Sequence, residues 1–347
     1  MDQTDPTPSK ATPEPADTPA PPASATEDQP AKRSRRPLVI AGSALLVVVL
    51  IAVVAWAAIS TSTTARLNAI KNSAMTYLTA LSTADADAAL DSLAERPANT
   101  ALLTRGVLEA SLRDAPLTGI EVSDAQENGD QATVRATYKL GDREVSTQLQ
   151  IVGKAGRDWK IADGTADLSV PVVAGVAING ASLTETVNPV FPGVYTAAAS
   201  SEFLSVTGEQ TQAVVTDPAQ EGGTIAVTAA LSDAGREAVL STVKTRFDEC
   251  LASTVSRPAD CPFGFSEDGV EIAPDSVRFS LTNDPWADFA PTVDPATLLA
   301  SGTFHFEVTG TATATAFGLT GDVSRSQVAD RAYEVDLSKD PRVVVWR

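Results

Sequence analysis

The sequence predicts an α+β protein. It reads as a disordered N-terminal tail (1–37), one transmembrane helix (38–59), an exported domain of helices followed by an antiparallel sheet (60–165), a small β module (166–222) and a C-terminal α+β domain (223–347). Three observations predict this. Residues 38–59 run 22 positions without a charge. The apolar period then switches from three-and-four to strict alternation after residue 114. The order of helix first and strands second recurs after residue 223.

Composition narrows the function classes. The chain of 347 residues carries a formal charge of −18. With a pI near 4.4 it lacks the basic face that phosphate binding requires, so nucleic acid is excluded as the main partner. One His and two Cys cannot build the usual four-ligand zinc site. No cofactor motif occurs.

Residues 1–31 are rich in Pro, Thr, Ser and Ala and hold no Val, Ile, Leu, Phe, Tyr or Trp. Such a stretch buries too little apolar surface to offset its ordering entropy and is expected to be disordered. A basic cluster follows, Lys32, Arg33, Arg35 and Arg36. The uncharged run Leu38–Ile59 would form a helix of about 33 Å, enough to cross the lipid bilayer. The basic cluster on its near side makes the N-terminus cytoplasmic and residues 60–347 extracytoplasmic. A signal peptide cleaved after Ala57 is the alternative, since Ala55-Trp56-Ala57 fits an A-x-A pattern. The run is longer than a signal h-region, which favours an uncleaved signal anchor.

Leu67, Ile70, Ala74, Tyr77, Leu78 and Leu81 recur at helical spacing. Asp85, Asp87 and Asp91 open a second short helix that ends before Pro97, and Ala101–Leu112 forms a third. Alternation then marks strands at Ile120–Val122, Ala132–Tyr138, Val145–Val152 and Arg157–Ile161. The turn signals Gly129-Asp130 and Gly141-Asp142 separate them. This order, with its closing Gly156-Arg157-Asp158-Trp159-Lys160-Ile161 strand, resembles the NTF2-like (cystatin-like cone) superfamily over about residues 65–165. The resemblance implies a sheet curled around helices to leave a cone-shaped pocket. Some members of that superfamily are enzymes, and many exported bacterial ones are non-catalytic accessory domains.

The next module carries the apolar stretch Val170–Ile178, the hairpin signal Asn179-Gly180, then Val190–Tyr195 and Phe203–Val206. Val176-x-Ile178-Asn179-Gly180 with Phe191-Pro192-Gly193-x-Tyr195 resembles the β modules of teicoplanin-resistance-associated membrane proteins of Gram-positive bacteria. Those proteins have one membrane span and exported NTF2-like modules. They usually begin with a zinc ribbon, and here no Cys precedes Cys250. In the C-terminal domain a strand at Thr224–Thr228 precedes a helix carrying Leu231, Val239, Leu240, Val243 and Phe247. Strands follow at Gly269–Leu281, Ser301–Ala316, Ala332–Leu337 and Val343–Trp346. This echo of the first domain reads as a second cystatin-like unit.

Chemistry is sparse. Cys250 and Cys261, with ten residues between them in an exported region, are expected to form a structural disulfide. His305 alternates with Phe304 and Phe306, so it faces solvent. Ser301, Ser280 and Asp284 are polar neighbours without the geometry of a triad, and no G-x-S-x-G elbow exists. Asp284, Asp288 and Asp294 match no calcium loop. The sequence therefore points to a non-enzymatic binding, scaffold or sensing protein of the bacterial cell envelope. Its partner would be an envelope protein or wall polymer. The alternative is an exported hydrolase or isomerase using Tyr77, Tyr138, Asp85 or Asp91 inside the cone. A filled cone would favour the first reading.

Overall fold

The computed structural model describes residues 63–154, 157–220, 222–266 and 269–347. Every described residue belongs to one compact unit that spans 60–347.

Helix α1 (63–82) buries Ile70, Ala74, Tyr77, Leu78 and Leu81 along one stripe, as the spacing predicts. Helix α2 (Ala86–Asp91) starts where Asp85 accepts a hydrogen bond from Ala88 N at 3.1 Å. Helix α3 (Arg105–Asp114) begins four residues later than the apolar run suggests. Thr104 is its cap, with extended φ/ψ of −101° and 156°, so Leu102 and Leu103 sit before the helix.

The first sheet follows as a meander in the order β1 (Leu117–Asn128), β2 (Gln131–Leu140), β3 (Arg143–Lys154) and β4 (Arg157–Ile161). Gly129 and Gly141 take positive φ at its two tight turns, +66° and +59°. Register shifts between Thr118 and Glu121 and between Ser123 and Gln126 put two irregularities into β1, which curl the sheet. Val134, Ala136, Tyr138, Leu149, Ile151, Trp159 and Ile161 share one buried core with α1 and α2.

Short strands come next. β5 (Ala166–Ser169) pairs with β8 (Val187–Val190). β6 (Val176–Ile178) and β7 (Ala181–Ser182) flank Asn179-Gly180, whose φ values of +47° and +85° form the expected turn. β9 (Gly193–Ala199) and β11 (Gln212–Val215) complete the order β11-β9-β6-β7. β10 (Leu204–Gln210) pairs with β12 (Ala226–Leu231). The motif around Phe191 now has a physical reason. A side chain on Gly193 would meet Ser111 Oγ of α3 at 2.1 Å, and Val194 N donates to that same oxygen at 2.7 Å.

Helix α4 (Asp233–Leu251) starts at the Ser232 cap. It lies against the last sheet, in which β13 (Glu271–Ile272), β14 (Arg278–Leu281) and β15 (Thr292–Asp294) all pair with β16 (Leu299–Ala316). β16 pairs along its whole length with β17 (Leu319–Asp336), and β18 (Val344–Trp346) closes the order. The sequence reading misses the outer part of β17, residues 319–331. Both of its faces are largely exposed, so no alternation marks it.

The expectation of a transmembrane helix is corrected. No helix among the described residues is long and apolar enough to cross a membrane, so the described fold is α+β with no spanning helix among those residues. The physical reason is that α1 interleaves Thr, Ser and Asn with Arg66 and Lys71, and α4 keeps a charged face. α4 carries Asp233, Arg236, Glu237, Lys244, Arg246, Asp248 and Glu249. The run 38–59, on which the sequence places the membrane helix and signal anchor, lies outside the described residues. So do the tail and the cluster Lys32, Arg33, Arg35 and Arg36.

Candidate functional site

The concave side of the first sheet is filled. Tyr77 donates its hydroxyl to Gly164 O, and Tyr138 donates to Thr216 O at 2.5 Å. Phe191 is buried in the same cluster, with its ring centroid 6.3 Å from that of Tyr77. Burial pushes both phenols well above the usual Tyr range, so each keeps its proton and serves as a hydrogen-bond donor. The carboxylates that the sequence reading sets beside these tyrosines are elsewhere, and the acidic group near Tyr138 is Asp217, which accepts from Thr147 at 2.7 Å. Asp85 caps α2, while Asp87 and Asp91 lie on the exposed helix surface 3.9 and 3.8 Å from Arg96. The structure does not bring these carboxylates together with the two tyrosines.

His305 is solvent-facing, between buried Phe304 and Phe306. Its Nδ1 lies 2.8 Å from Asp330 Oδ1 across the ladder, a partner that no local pattern names. Ser280 donates to Thr309 O at 3.3 Å. Asp284 accepts from Trp286 N, and Asp294 accepts from Ala296 N and Thr297 Oγ1. These local bonds hold the Asp294 carboxyl below the usual range, chiefly through Ala296 N. Among the described residues no group of three or more His, Cys, Asp and Glu side chains could hold a metal ion.

The remaining candidate is a groove of about 1020 Å3 beside α4. Val239, Val243, Phe247 and Cys250 bury one face of the helix. Phe247 lies at the centre of an aromatic cluster, with the rings of Phe263, Trp286, Phe304 and Phe306 at 5.2 to 5.7 Å. The flank of α4 bearing Ser241, Thr242, Thr245 and Glu249 forms one wall, and Val343–Trp346 forms the other.

The disulfide builds the end of the groove. Cys250 and Cys261 are joined, with Cα atoms 5.8 Å apart. Arg246 bonds Glu249 and Ala259 O, both at 2.9 Å, and Trp346 Nε1 donates to Asp260 O at 2.9 Å. The covalent loop is thus tied to the helix and to β18.

Two further arginines line this groove. Arg331 on β17 donates to Pro262 O at 3.1 Å, and Arg342 stacks on Phe203 at 4.8 Å. Neither is in an ion pair among the described residues. The Nε of each is buried and lacks a hydrogen-bond partner. Sequence reasoning located the cysteines and missed these arginines. They are isolated in the sequence, and only the return of β17 and the loop before β18 brings them together.

No family model matches this chain, and no curated protein or solved structure is significantly similar to it.

Proposed function

We propose that this chain is a non-enzymatic binding module that works in an oxidising, extracytoplasmic compartment of the bacterial envelope. The observation that carries the reading is the contrast between the filled first cone and the open, disulfide-walled groove beside α4. A filled cone offers no room for a substrate beside Tyr77 or Tyr138. The open groove suits a macromolecular partner, such as another envelope protein. The disulfide supports the compartment, because such bonds persist where thiols are not kept reduced. The resemblance to NTF2-like accessory domains supports the same reading.

The test is a strain lacking the protein, complemented with Asp85→Asn or Asp91→Asn. Both variants are expected to restore any phenotype of the deletion, at normal protein level. Complete loss at normal level would assign chemistry or recognition to a carboxylate of the first domain and overturn the reading.

A further inference from the structure

The binding-module reading leaves the occupant of the groove open, and the inference that follows rests on that reading. We propose that the groove takes an extended polypeptide carrying acidic side chains. It would add as a new strand to the free edge of β18, with its carboxylates on Arg331 and Arg342.

The backbone argument comes from register. Arg347 N donates to Ala332 O at 2.9 Å, and Tyr333 faces Trp346 while Val335 faces Val344. In an antiparallel pair, hydrogen-bonded and non-hydrogen-bonded positions alternate. Val345 therefore turns its N–H and C=O toward β17, and Val344 and Trp346 turn theirs away. β18 is last in the strand order, and no described residue bonds these outward backbone groups. Val344, Val345 and Trp346 line the groove. Donors and acceptors repeating at strand spacing are what another polypeptide backbone matches. The opposite wall presents the short side chains of Ser241, Thr242 and Thr245, which leave room for it.

The charge argument is independent. Acidic residues outnumber basic ones 44 to 26, so carboxylates for pairing are in surplus. The groove also carries Glu249, Asp260 and Asp340; Glu249 is bonded to Arg246, whereas Arg331 and Arg342 have no ion-pair partner among the described residues. A carboxylate is the group that satisfies a guanidinium best. Both side chains are already positioned, Arg331 by Pro262 O and Arg342 by the Phe203 ring. Little ordering remains to oppose binding.

The test is fluorescence anisotropy on the full chain with a labelled, end-blocked peptide of alternating Val and Glu, six residues long. Two comparators share its length: one with Gln for every Glu, and one with alternate amides N-methylated. Saturable binding is expected for the Glu peptide, about tenfold weaker binding for the Gln peptide, and loss for the methylated one. Arg331→Gln and Arg342→Gln should each weaken the Glu peptide about tenfold and leave the Gln peptide unchanged. The peptide comparisons stand even if a variant fails to fold. Absence of Glu-peptide binding, or equal binding of all three peptides, would overturn the assignment. Self-association through β18 that the peptide cannot displace would overturn it in favour of a second copy of the chain. In any of these cases the binding-module reading survives, provided Asp85→Asn and Asp91→Asn still complement.

Discussion

The two main sheets follow a similar plan, helix before strands, and end in different states. In the first, three helices precede strands of at most 12 residues, and the concave side is filled by Tyr77, Tyr138 and Phe191. In the second, one helix of 19 residues faces a hairpin of two 18-residue strands. At about 1.5 Å per residue the helix spans roughly 28 Å, whereas strands at about 3.3 Å per residue run to roughly 60 Å. A single helix cannot cover such a hairpin. The outer half is left to a small cluster of Phe265, Val277 and Ala312, and Phe317, Leu319 and Val328 remain exposed. The difference teaches that helix supply, relative to strand length, decides which sheet closes and which keeps edges and grooves open.

The largest expected effects probe whether the two regions are separate in energy as well as in shape. Trp159→Ala empties the first core and Phe247→Ala the second. Each is expected to cost about 3–5 kcal/mol in urea unfolding, as large buried aromatics do. Amide exchange is the sharper readout. Trp159→Ala should raise exchange in β1–β4 and spare β16–β18, and Phe247→Ala should do the reverse. A uniform rise in both sheets for either variant would break the comparison, because the two cores would then be one cooperative unit.

Legibility in the sequence followed the same division. The first region was readable because its faces are clean. α1 buries one stripe, β2 alternates, and Gly129 and Gly141 mark the turns. β5 escaped notice because Ala166–Ser169 is four residues long, too short to establish a period. Val170–Ile178 looked strongly β-forming yet yields strand only at Val176–Ile178, since Pro171 interrupts the run and Val172 is exposed. In the second region the buried half of β16 was readable, but the exposed half of β17 was not. The groove left one trace, the Cys250–Cys261 pair. Long-range contacts such as Trp346 to Asp260 have no local pattern.

Removing the disulfide tests how far the groove depends on its wall. The double change Cys250→Ala with Cys261→Ala opens a short loop, expected to cost about 2–3 kcal/mol of global stability. The local consequence separates the regions. Loop 252–260 should loosen, releasing the contacts of Arg246 with Ala259 O and of Trp346 with Asp260 O. Trp346 fluorescence cannot be isolated among four Trp, so exchange at residues 252–261 and 344–347 is the measurement. Unchanged protection there would mean that the loop is held by packing, and the disulfide would lose its part in shaping the groove.

The smallest effect is in pH. Asp294 at the end of β15 and Asp336 at the end of β17 both titrate below the usual carboxylate range. Ala296 N is the leading cause at the first, and the Ser338 hydroxyl at the second. A depressed folded-state value means the unfolded chain takes up protons first as pH falls. The contribution of these groups is therefore complete above the ordinary Asp value of about 3.9 and is lost as pH drops through their folded values. Asp294 is exposed and Asp336 half-buried, each bonded to its own local turn, so the loss is local, and both belong to the second sheet. On the alkaline side the sign reverses. Burial raises the phenols of Tyr77, Tyr138 and Tyr333, so their contribution is complete below about pH 10 and declines as pH rises above it. That limb touches both sheets. Acid alone should distinguish them: carboxyl-detected NMR between about pH 5 and about pH 2, around the ordinary carboxylate values, is expected to show Asp294 and Asp336 titrating late. The amides of Ala296 and Ser338 should lose protection while the β1–β4 amides hold. Equal acid loosening of the first sheet would mean that its own carboxylates are coupled to folding, and the contrast between the closed and the open sheet would fail in electrostatics even if it held in packing.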